Sequence, residues 1–100
     1  MDGRERIAGL LEAVVGRARA LLDGGDVPPA EAANAMMFYV LANHLLSVTR
    51  AADQPLNPAT LAGGLRQLHA RCTGALADQR PGVQRALDEA ENVDWDFRTA

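Results

Sequence analysis

Two histidines, His44 and His69, and one cysteine, Cys72, are the side chains in this 100-residue sequence best suited to nucleophilic, acid–base or metal chemistry. His69 and Cys72 are three apart, a spacing that places both on one face of a helix. With His44 they make three soft or borderline donors, the number a catalytic zinc site keeps. His44, however, comes from a different segment. Cys72 falls on a stripe of leucines, where a free thiol behaves as a small hydrophobe. The expectation is no metal and no cofactor.

His44 shares its helical face with Met37, Leu41 and Val48. That company predicts a core histidine whose ring N–H bonds a backbone carbonyl. A general base is the alternative role. Asn43 is adjacent in sequence and so points about 100° away from His44. Tyr39 and Asn43 are four apart and face together. Met36 and Met37 beside Phe38 and Tyr39 suit a groove for an apolar ligand, because Met adapts its shape. At helical spacing they read more simply as core. Ser47 has no evident base beside it, and no phosphate loop, nucleophile elbow, dinucleotide fingerprint or HExxH occurs. The residues retained as ligand-binding or interface candidates are Met37, Tyr39, Asn43, His44, Leu46, His69 and Trp95.

These residues need helices to position them. Alanine is the commonest residue and β-branched residues are sparse, which favours helix over strand. The first helix is expected over 3–23, opened by a capping box of Asp2 and Glu5 and closed by Gly24 and Gly25. Its apolar stripe is Ile7, Leu10, Leu11, Val14, Val15, Ala18, Leu21 and Leu22. The opposite face carries the small residues Gly9, Ala13, Gly16 and Ala20, which read as a solvent face rather than a close-approach surface. Pro28 and Pro29 open a second helix that runs to about 52. Asn57 and Pro58 open a third, over 58–78, with Leu61, Leu65, Leu68, Cys72 and Leu76 on one stripe. A short fourth, over 81–92, turns Val83, Ala86, Leu87 and Ala90 inward; its acidic Asp88, Glu89 and Glu91 read as solvated.

The second helix is apolar on two sides. Met37, Val40, Leu41, His44 and Val48 make one face, and Ala35, Tyr39, Ala42 and Leu46 make the other. Phe38 and Leu45 bridge them, and only Asn43, Ser47 and Arg50 form a polar strip. Such a helix is either central to its fold or shared with a second chain. The other stripes are expected to cover the first face and to leave Tyr39, Ala42 and Leu46 for a partner. The acidic–aromatic tail, 93–100, with Trp95 and Phe97, is expected to pack on the bundle or on a partner.

The chain therefore reads as one all-α domain, 1–100. Its architecture is a small antiparallel bundle of three long helices and one short C-terminal helix. Net charge is −3, which disfavours a nucleic-acid footprint, as does the proline-containing turn for a helix-turn-helix. No apolar run reaches the length of a membrane span. A single Cys excludes an intramolecular disulfide and fits a reducing, cytoplasmic setting, as does the absence of an apolar leader after Asp2. All ten basic residues are Arg, which reads as the codon bias of a GC-rich bacterial genome. The function expected is that of a non-enzymatic bacterial accessory or regulatory protein, acting through homodimerisation by helix two or through a protein partner. The alternative is a small ligand-binding protein or enzyme with an apolar pocket between helices two and three, near His44.

Overall fold

The computed structural model describes residues 3–25, 27–51 and 53–92. They form four α-helices and one 3-10 helix: α1 (Gly3–Gly24), α2 (Pro29–Arg50), α3 (Pro58–Ala70), the 3-10 helix Gly74–Gln79, and α4 (Arg80–Glu91). The fold is the all-α bundle expected. Asp2 of the capping box and the whole tail with Trp95 lie outside the described residues.

Local chemistry sets the element ends. Gly25 takes φ +71° after α1, a left-handed conformation that costs glycine no Cβ clash. Pro29 opens α2, where its missing N–H costs nothing. The Asn57 side chain accepts the Ala59 N–H at 2.9 Å and caps α3, with Pro58 at its first position. The third helix stops eight residues early, at Ala70 rather than Asp78. The reason is Gly74, at φ +55°, which turns the chain into the 3-10 helix. A Cβ there would meet the Glu31 carboxylate, and that carboxylate accepts the Ala75 N–H at 2.8 Å. The turn thus needs a glycine for two separate reasons. Cys72 and Leu76 remain buried, although neither is in α3.

Cross-links between helix ends fix the directions. Arg4, in the first turn of α1, reaches the last carbonyls of α2, so these two helices are antiparallel. Arg6 pairs with Glu89 at 3.1 Å, which sets α1 antiparallel to α4. Asn34 and Arg71 bond each other reciprocally, each at 3.0 Å, and join the start of α2 to the end of α3. At the middle of that pair Gly64 lets the Leu45 side chain lie against the α3 backbone.

One core joins all four helices. Ile7, Leu11, Val14 and Ala18 of α1 meet Ala35, Phe38, Ala42, Leu45 and Leu46 of α2. Leu61, Leu65 and Leu68 of α3 and Val83, Ala86, Leu87 and Ala90 of α4 complete it. Phe38 is the largest fully buried side chain among the described residues. The hub is α1, which packs extensively against both α2 and α4, whereas α2 touches α3 only lightly. The second helix, expected to be either central or shared with a second chain, lies on one flank of the bundle. No helix among the described residues is long and apolar enough to cross a membrane.

Candidate functional site

The face that α2 turns inward is the one expected to need a partner. Ala42 is fully buried and Leu46 only 8% exposed. Tyr39 is half-buried and packs against the core. The opposite face is the open one: Met36, Met37 and Val40 are 51%, 53% and 58% exposed. Two apolar faces and one covering surface were legible from periodicity, but their assignment is reversed. Alanine at 35 and 42 supplies the reason. Small side chains flanking Phe38 suit close packing against a neighbouring helix, whereas Met37 and Val40 would hold it off.

The open face is built entirely by α2. Met36, Met37, Val40, Leu41 and His44 surround a shallow depression of about 410 Å³. Between Glu31 and Arg50 no side chain carries a formal charge, so the face is apolar to its edges. Asn43, His44 and Ser47, all exposed, border it with polar groups. Of the residues expected to line an apolar pocket between helices two and three, Met37 and His44 line this depression, and neither Tyr39 nor His69 does. A depression walled by one helix cannot enclose a small molecule on most sides, as ligand pockets do.

His44 was expected in the core and is exposed instead. It stands at the edge of the apolar face, beside Leu41. His69 is half-buried on α3. Cys72 is fully buried, its S–H donating to the Leu68 carbonyl at 3.3 Å. Burial pushes its thiol up above the ordinary range, against a lowering by Arg80 and a smaller raising by Asp78. A protonated, buried thiol is a poor nucleophile. Among the described residues no group of three His, Cys, Asp or Glu is placed to hold a metal ion.

Two further clefts are crossed by ion pairs. The larger, about 560 Å³, lies between α1 and α4 and is spanned by Arg6 and Glu89. The other, about 450 Å³, lies between α1 and the end of α2, where Arg50 pairs with Glu12. Exposed pairs of this kind contribute little stability, but they fill these clefts with matched charge. Among the described residues no buried side-chain N or O atom lacks a hydrogen-bond partner, so no orphaned polar group marks a ligand site.

Periodicity missed Arg4. Its Nε donates to the Thr49 carbonyl at 2.7 Å, and one Nη to those of Ala51 and Gln54 at 2.6 and 3.1 Å. A contact across 45 residues leaves no local signal. Compared with known proteins, the chain matches no family model, no curated protein and no solved structure.

Proposed function

We propose that this protein acts by binding another polypeptide rather than by catalysis, as a small accessory or regulatory protein. Its working surface is the outer face of α2. The observation that carries the reading is the contiguous exposure of Met36, Met37 and Val40 on an uncharged helix face. Scattered exposed apolar residues mean little, but a contiguous apolar patch with a polar border marks an interaction site. Two methionines suit such a surface, since their flexible thioether chains adapt to the partner. His44 and Asn43 at its rim supply hydrogen-bonding groups. A cytoplasmic setting fits the same reading, since the one thiol is unpaired.

A photo-crosslinking residue placed at Val40, in the cells that make the protein, tests this. Irradiation is expected to join Val40 to one polypeptide identifiable by mass spectrometry. The same residue at exposed Gln67 of α3 is expected to join none. Equal products at both positions, or none at Val40, would contradict the proposal.

A further inference from the structure

Resting on that reading, the geometry points to one occupant for the α2 face: a second copy of the same face, laid antiparallel about a two-fold axis.

Three observations lead there. The first is spacing. Along the exposed side of α2, which also carries Met36 and Asn43, the line Ala33, Met37, Val40, His44 and Ser47 alternates steps of four and three. That alternation is the seam of a two-helix pair, each step keeping the contact line facing its partner. The second is charge. The seam holds no formal charge from end to end, so it offers a charged partner nothing to match, and another uncharged seam matches it. An antiparallel copy also opposes the two helix dipoles. A parallel copy sets like ends together. The third is register. An axis between Phe38 and Tyr39 pairs Met37 with the partner's Val40, and His44 with the partner's Ala33, each twice. The small Ala33 leaves room for the imidazole.

The available area sets the strength. A helix of 22 residues is about 33 Å long and about 10 Å wide, so one face covers about 330 Å². A stable interface of ordinary size covers about 800 Å² on each partner. The core is closed within one chain, with Phe38 fully buried and Leu45 only 5% exposed. The dimer is therefore weak and reversible, and each subunit folds without it.

Two single-cysteine additions test the arrangement: Ala33→Cys and His44→Cys, both at exposed positions. Buried Cys72 stays in place, and the parent protein serves as the control. Along one helix these positions are about 16 Å apart, and a disulfide needs Cα atoms within about 7 Å. Mild oxidation at high micromolar concentration is expected to link the two variants when mixed and neither variant to itself. Val40→Glu added to both is expected to lower the yield at least thirtyfold, about the effect of a hot-spot residue. Self-linking of each variant alone would show a parallel pair and overturn the inference. Equal linking in every combination, or none in any, would overturn it as well. If photo-crosslinking at Val40 identifies a different polypeptide, the second-copy inference fails while the binding reading survives.

Discussion

Arg4 closes the end of α2: its Nε donates to the Thr49 carbonyl at 2.7 Å, and one Nη serves further carbonyls of the same terminus. The last carbonyls of a helix have no partner within it, and a cation there also meets the negative end of the helix dipole. Thr49 is itself buried, with its hydroxyl donating to the Leu45 carbonyl at 2.6 Å. This joint fixes the α1–α2 pair, and so the orientation of the outer face of α2. Arg4→Ala should lower stability to urea by about 2 kcal/mol, the range for hydrogen bonds from a charged donor. Arg4→Lys should recover less than half, because an ammonium cannot reach several carbonyls with a fixed fork. Full recovery by lysine would show that charge alone matters.

Gly63 and Gly64 are neighbours with opposite expectations. Nothing lies within 4 Å of a Cβ built on Gly63, whereas one on Gly64 would stand 2.7 Å from the Leu45 Cδ2. Gly63→Ala should stabilise by about 0.5–1 kcal/mol through helix propensity. Gly64→Ala should destabilise by about 1 kcal/mol, since overpacking beside a buried leucine outweighs the same gain. Thermal or urea unfolding of the two variants separates them. A gain at both positions would mean that Leu45 moves aside freely.

Gly74 and Glu31 should be energetically coupled. Gly74→Ala puts an L-residue into a left-handed conformation, at about 1–2 kcal/mol, and also drives its Cβ into the Glu31 carboxylate. In a Glu31→Ala background the second cost vanishes. A double-mutant cycle in urea should show a coupling of about 1 kcal/mol or more. Additive effects would place the whole cost in the backbone.

Cys72 should be silent in the native protein. A thiol-specific reagent at mildly alkaline pH is expected to label it only at the rate of unfolding, because it is buried and its thiol is held protonated. The sign of the pH dependence follows. Above the ordinary thiol range, about pH 8.5, the unfolded chain releases this proton and the native chain keeps it. The contribution of Cys72 to stability is therefore complete below that pH and declines as pH rises further. Rapid labelling of the native protein would contradict this account of the site.

Much of the fold was legible without coordinates. Val83, Ala86, Leu87 and Ala90 were placed inward by spacing and are all buried. The same holds for Leu61, Leu65 and Leu68, and the Asn57–Pro58 start of α3 needed only capping chemistry. The break at Gly74 was not legible, because leucine spacing continues across it to Leu76, and only Glu31, from another helix, demands the turn. The candidate site was half legible. Periodicity separated the two apolar faces of α2, and Met37 and His44 do line the open one. Which face α1 would choose depended on close approach at Ala35 and Ala42, a matter of shape that hydrophobic pattern does not carry. That choice moved Leu46 into the core and His44 out of it. The arginines, readable as codon bias alone, turn out to tie helix ends together at Arg4, Arg71 and Arg80.

The central claim is that the outer face of α2 pairs with a second copy of itself. Light scattering over a dilution series, on the parent protein and on Val40→Glu, tests it most directly. Val40 is 58% exposed, so the substitution should change unfolding stability by no more than about 0.5 kcal/mol. The weight-average mass of the parent should rise from monomer toward dimer as concentration increases, while Val40→Glu stays monomeric throughout. A parent protein that remains monomeric at every concentration, or a variant that associates as the parent does, would contradict the account.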